Sequence, residues 1–175
     1  MAANDNVSDQ VLDRITAALG ESIQRVDRDR GQVTLMTSAA EAHQVVRALK
    51  EEYGYDFLVD LTAVDYRDWP APEEYAERFG VVYAFSSFER NDRLRVKALV
   101  SELEPEIQSV SDLFKAALWL EREVFDMFGI RFKDHPSLSR ILCPDYLKGH
   151  ALRKEYPLKG RGERDNFPKY SPDQE

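Results

Sequence analysis

Apolar residues along the chain repeat with two different periods, and the switches between them predict the order of elements. Val11, Leu12, Ile15 and Leu19 share one helical face, with Ser8 placed as N-cap, which predicts a helix over Asp9–Leu19. Short strands follow at Ile23–Asp27 and Gln32–Thr37, joined by a turn containing Arg30-Gly31. Ser38 opens a second helix running to about Tyr53, with Val45, Val46 and Leu49 inward and Gly54 as its stop. Period two then takes over. Phe57–Tyr66 is rich in β-formers, and Phe79, Val81, Tyr83 and Phe85 alternate along Phe79–Phe88. In the next strand Leu94, Val96, Ala98 and Val100 oppose Arg93, Arg95 and Lys97. Arg90-Asn91-Asp92 reads as the hairpin turn between these two strands, and Trp69–Glu74, with two prolines, as a loop. A third helix is predicted from Ser111 to Phe128, stopped by Gly129. The order α-β-β-α-β-β-β-α gives an α+β fold: a two-layer domain with helices packed on one face of a mainly antiparallel sheet.

The texture changes after Asp134. Five of the eight prolines, Pro136, Pro144, Pro157, Pro168 and Pro172, fall in the remaining residues. The chain therefore divides into an α+β domain, 1–133, and an extended C-terminal segment, 134–175. That segment carries Ile141, Leu142, Tyr146, Leu152, Tyr156 and Leu158, too many apolar groups for a solvated tail, so it must lie on something.

The third helix is apolar around half its circumference or more, with Leu113, Ala117, Leu120, Val124 and Met127 in one stripe and Phe114, Leu118 and Phe125 in a second. A single core requires only ≳100°, so this helix is expected to be covered on two sides. Glu121 falls within the apolar arc and needs a partner, Arg140 first and Arg122 second. It reads either as an acid with a raised pKa or as half of a structural ion pair. Arg122 and Asp126, spaced i,i+4, read as a surface pair. Trp119 falls on the polar face with Lys115 and Asp126, where it is either half-covered by the tail or an interface anchor.

Charge and composition narrow the chemistry. The chain has 175 residues, net charge −8 and one cysteine, Cys143, which excludes an internal disulfide and a self-contained iron–sulfur cluster. From Gly129 to Arg164 there are nine Lys+Arg against four Asp+Glu, while the remainder has 15 against 28. A basic segment on an acidic body points to an electrostatic contact, with a partner or with the chain's own body. There is no apolar run of membrane-span length, and the polar start MAANDNVSDQ is not a signal peptide. Phosphate-cradling glycine motifs are missing, and His135, Cys143 and His150 fit no common zinc spacing.

The stretch ERE-V-FDMFGI-x-F-x-x-HP-x-L-x-RIL from Glu121, followed by GHALRKEYPLKG, resembles the signature of the 30 kDa (C) subunit of proton-pumping NADH:quinone oxidoreductase, respiratory complex I. The likeness is dense over Trp119–Gly160 and looser back through FGVVYAF and RVKALV to about Gly31. Ala151 stands where the family usually has proline, Glu155 where aspartate is common, and Tyr146 where Trp or another aromatic is frequent. The resemblance implies a subunit with no catalytic, cofactor-binding or metal residues of its own; flavin, iron–sulfur clusters and quinone belong to its partners. It would sit peripherally on the cytoplasmic side of a bacterial inner membrane, against the quinone-pocket (D) subunit and the cluster-bearing connecting subunits. Glu121, Arg122, Glu123, Asp126, Gly129 and His135 would stiffen the corner between helix and tail. Arg140, His150, Arg153 and Lys154 would reach toward the partner or pin the tail, with Trp119 and Tyr156 at the interface. The alternatives are the equivalent subunit of a membrane-bound hydrogenase or other-donor dehydrogenase complex, an adaptor unrelated to respiration, and a free-standing hydrolase using Glu121 with His135 or His150.

Overall fold

A computed structural model of the chain describes residues 7–162. The first six residues and the stretch 163–175, where the last part of the expected tail falls, lie outside the described residues. The elements are α1 (Asp9–Leu19), β1 (Arg25–Asp29), β2 (Gln32–Ser38), α2 (Ala42–Glu51), β3 (Phe57–Asp65), β4 (Phe79–Ser87), β5 (Asp92–Val100), β6 (Glu106–Gln108), α3 (Ala117–Phe128) and β7 (Arg131–Lys133). Five strands form one sheet in the order β1-β2-β5-β4-β3, antiparallel except where β2 lies parallel to β5. The fold is the expected α+β arrangement.

Alternation sets the two faces. Leu35 pairs with Val96, Val96 with Tyr83, and Tyr83 with Leu61, so one face presents a continuous apolar row. Leu12 and Ile15 of α1, Val45, Val46 and Leu49 of α2, and Ala117 and Val124 of α3 join that face in one core. Burial of such side chains, at about 1.5–3 kcal/mol each, drives the layers together. Ser8 caps α1 as expected, its hydroxyl accepting from the Val11 amide at 3.4 Å.

Three differences from the sequence reading have local causes. The third helix begins at Ala117 rather than Ser111; the segment before it makes separate turns, and its Ser109 hydroxyl and Val110 amide are bonded to Glu121. The second helix begins at Ala42, four residues after Ser38, whose hydroxyl instead accepts from the Glu41 amide at 3.3 Å in the preceding turn. The short parallel pair β6–β7 was not anticipated; three-residue strands carry too little alternation to be seen.

The opposite face of the sheet is covered at one end by the β3–β4 connection. Tyr66 stacks on Tyr75 with ring centroids 3.7 Å apart, Trp69 meets both rings edge-on, and the Lys97 ammonium lies 5.0 Å from the Tyr75 ring centre. Gly80 makes this packing possible, since a Cβ there would stand 2.9 Å from the Tyr66 ring. Gly80→Ala is therefore expected to lower stability by about 1–3 kcal/mol, the usual range for overpacking, measured from urea midpoints. An unchanged midpoint would show that Tyr66 withdraws freely.

Candidate partner interface

The chain leaves α3 through Gly129, which adopts the left-handed conformation (φ 74°) and donates its amide to Phe125 O at 2.9 Å. The next three carbonyls of α3 would be without partners inside the helix. Each is met by the tail. His150 Nδ1 donates to Asp126 O at 2.9 Å, the Leu152 amide to Met127 O at 3.1 Å, and Arg153 Nε to Phe128 O at 2.5 Å. A side chain at position 129 would occupy this junction, since a Cβ there would lie 2.4 Å from His150 Nε2 and 2.8 Å from Arg153 Nη2.

Asp126 carries the second half of the corner. Its side chain is fully buried. Oδ2 accepts from the consecutive amides of Ile141, Leu142 and Cys143 at 3.0, 2.8 and 2.8 Å, and Oδ1 from Arg140 Nη1 at 3.2 Å. Burial by itself would raise the Asp126 pKa; the three amides and the Arg140 charge outweigh it and hold the carboxyl below its usual range. The expected surface pair Arg122–Asp126 is thus corrected. Asp126 turns inward to the tail amides, and Arg122 donates instead to Ser139 O and Arg140 O, both at 3.0 Å. Its guanidinium also lies over the Trp119 ring.

Farther along, the Lys154 amide donates to Asp65 Oδ2 at 2.9 Å and Glu155 pairs with Arg78. Arg78 grips Asp65 with two bonds, of 2.7 and 3.0 Å. Burial would raise Asp65, but these bonds and the Lys154 and Arg67 amides bring it down to about 2. Neither Asp65 nor Arg78 stood out in the sequence, because only the fold brings the end of β3, the start of β4 and the tail together.

Glu121 is likewise fully buried, and its expected partner Arg140 is not the one it has. Oε2 accepts from the Ser109 hydroxyl at 2.6 Å and Oε1 from the Val110 amide at 2.7 Å, and the Ser111 hydroxyl continues the chain 2.7 Å beyond Ser109. Among the described residues no cation joins this network. Desolvation therefore dominates over the two hydrogen bonds, and the pKa rises to about 7. Ser109 and Ser111 went unnoticed because isolated serines carry no periodic signal.

The remaining candidates separate. His135 Nε2 donates to Leu118 O while Nδ1 accepts from the Ser137 amide, fixing the ring's orientation at the corner. Glu123 is exposed on α3. Tyr156 is half-buried beside Gly149 with the Arg161 guanidinium over its ring. Burial, then the Asp126 charge, pushes the Cys143 thiol up and away from a reactive thiolate. Among the described residues no cluster of His, Cys, Asp or Glu could hold a metal ion, and no helix is long and apolar enough to cross a membrane.

Leu138, Cys143 and Ala151 of the tail pack against the core, while other apolar side chains stay exposed among charged ones such as Asp145 and Lys148. Leu142 (61 % exposed), Tyr146, Leu152 (53 %) and Leu158 are all solvent-facing, as is Trp119 (61 %) on the neighbouring flank of α3. A carboxylate that binds three amides and exposed leucines on the same segment together build a rigid apolar ledge.

Two outcomes test this geometry. Asp126→Ala should cost about 3–5 kcal/mol, as when a buried pair loses one member, and should speed trypsin cleavage after Arg140 in the folded protein; unchanged cleavage would mean the amides do not depend on this carboxylate. Glu121 binds its proton more tightly in the folded than in the unfolded chain. Its contribution is therefore present below about pH 4.5 and is lost as pH rises to about 7. Wild-type stability minus that of Glu121→Gln should fall by on the order of 2 kcal/mol between pH 5 and 8, read from urea midpoints. A flat difference would place the Glu121 titration at its ordinary pH.

Sequence comparison matches residues 35–162 to the family described as respiratory-chain NADH dehydrogenase, 30 Kd subunit. The C-subunit of the NADH-quinone oxidoreductase of Trichlorobacter lovleyi is 41 % identical over 155 residues, covering 89 % of this chain and 93 % of that protein. Its counterpart in Geobacter sulfurreducens is 41 % identical over 160 residues, covering 91 % and 93 %. Among solved structures, a trypsin-resistant fragment of Nqo5 superposes with a TM-score of 0.63 at 32 % identity, covering 74 % of this chain and 98 % of the fragment. A chain of an archaeal membrane-bound sulfane sulfur reductase shares the fold, with a TM-score of 0.69 at 19 % identity over 95 % of this chain and 96 % of that one. The carboxylate-anchored corner at Asp126 lies within the matched region, and the chain belongs to the 30 kDa subunit family of respiratory-chain NADH dehydrogenase, the family of the bacterial NADH-quinone oxidoreductase C-subunits.

Proposed function

We propose that the chain is a cofactor-free assembly subunit of the hydrophilic arm of an NADH:quinone oxidoreductase. Its anchored tail is the docking ledge for the subunit that forms the quinone pocket, beside the cluster-bearing connecting subunits. The work is positional: a tunnelling path through the neighbours depends on fixed separations, and this subunit fixes them without carrying electrons. It sits at the membrane through the complex, on the cytoplasmic side.

One observation carries the reading: residues 139–158 are bonded to the body through their backbone while Leu142, Tyr146, Leu152 and Leu158 stay exposed. The inward bonds to α3 and Asp65 pre-order the segment before any partner arrives. Pre-ordering lowers the entropy lost on association, so the exposed Leu142, Tyr146, Leu152 and Leu158 can contribute their burial to affinity. Trp119 beside them is the residue type that most often dominates such contacts.

Replacing Leu142 and Leu152 together by Asp changes only exposed side chains and keeps the anchoring amides of both residues. The free full-length subunit should keep its thermal midpoint within about 2 °C, as expected for exposed positions. Its recovery in the intact complex, measured by native mass spectrometry, should drop about tenfold or more. Normal recovery of the complex with the double variant would overturn the docking role.

A further inference from the structure

The helices cover one face of the five-stranded sheet, and the Tyr66–Tyr75 cover protects only one end of the other. Toward the β4–β5 turn this second face is left uncovered by the described residues. Two shallow grooves of about 240 and 360 Å³ lie there, meeting at Asp60, Ala84 and Arg95. Their floor is made of small side chains, Ala84 with Thr62 and Thr34, so the long side chains of Arg93 and Arg95 stand above it as walls. Val59 forms the opposite wall, at a bulge in β3. Next to it Phe57 (46 % exposed) and Phe88 (68 %) hold each other with centroids 5.2 Å apart.

A solvated sheet face is normally polar. This one combines an exposed aromatic pair with two exposed arginines, the composition found at the centre of protein interfaces. Neither Arg93 nor Arg95 forms an ion pair or hydrogen bond with a carboxylate among the described residues, although the chain is acidic overall; Asp60, the one acid lining the grooves, accepts at Oδ1 from the Leu61 amide at 2.9 Å. A second copy is disfavoured, because a two-fold contact would set one arginine row against the other. A nucleic acid would need a longer basic track than these residues on an acidic body supply.

We propose that this face binds a carboxylate-bearing segment of a neighbouring protein subunit, with Arg93 and Arg95 as its anion contacts and Phe57 with Phe88 as its apolar anchor. The surface is separate from the tail ledge, and the proposal rests on the assembly role only in taking the neighbour from the same complex.

The test uses the full chain, with Cys143→Ala and Thr62→Cys making a single thiol in the groove, both as the free subunit and in the purified complex. Pulse labelling with N-ethylmaleimide, read by mass spectrometry, should be about tenfold or more slower in the complex. Adding Arg93→Glu and Arg95→Glu should return the rate in the complex to within roughly twofold of the free subunit, or abolish assembly while the free subunit keeps its thermal midpoint. Should that pair fail to fold, Arg93→Gln with Arg95→Gln carries the same expectation. Equal labelling in complex and free subunit overturns the proposal, and so does protection that survives charge reversal. Concentration-dependent protection of the free subunit, with a dimeric mass, overturns it in favour of a second copy. A parallel thiol at Leu152 separates the two surfaces: protection there and none at position 62 removes this proposal and leaves the tail ledge standing, and the opposite pattern does the reverse.

Discussion

A helix that ends inside a protein leaves carbonyl groups that water cannot reach, and the C-terminus of α3 shows how much structure can follow from satisfying them. Gly129, His150, Leu152 and Arg153 between them supply donors to Phe125, Asp126, Met127 and Phe128. To bring residues 150–153 back to that helix end, the chain must loop through 139–149, and Asp126 holds the start of the loop by three successive amides. The tail has almost no regular secondary structure and yet is as determined in path as a strand would be. Positive charge at the helix end, from Arg153 and Arg140, also suits the negative end of the helix dipole.

That solution has a consequence for the surface. Backbone amides of the tail are bonded inward, and Leu142, Tyr146, Leu152 and Leu158 stay exposed beside charged side chains such as Asp145 and Lys148. The energetic origin of the outward ledge is therefore internal: carbonyls and carboxylates of the body fix the path of the tail, and the apolar groups left exposed become available for a neighbour. Affinity in such a design depends on how firmly the anchors hold, because a loose ledge loses ordering entropy on association.

The two buried acids of α3, five residues apart, have opposite electrostatics. Asp126 receives four donors, one of them cationic, and stays charged. Glu121 receives two donors from neutral groups, and desolvation leaves it half-protonated near neutral pH. Both are closed to solvent, but Glu121 lies deeper and beside the Asp112 charge, while Asp126 has more donors and a cation. Ionising Glu121 as pH rises leaves a desolvated charge that its two donors only partly offset, so its net contribution to stability falls, whereas the Asp126 carboxylate stays charged across the neutral range.

The sequence by itself determined the layers. Alternation in Phe79–Phe85 and Leu94–Val100 and the helical spacing in α1 and α2 report burial residue by residue, because period and face are local properties of the backbone. It also placed Glu121 inside, because that residue falls within the apolar arc of α3. Partner choice was another matter. Arg140 could in principle reach either acid of α3, and a difference of five residues on a helix moves a carboxylate to another side of the axis. Only the three-dimensional path of 139–143 decides that Asp126 receives it, and only the meeting of β3, β4 and residue 154 makes a site of Asp65. Pairing across long sequence separation depends on where the backbone turns, and no spacing within the chain encodes that.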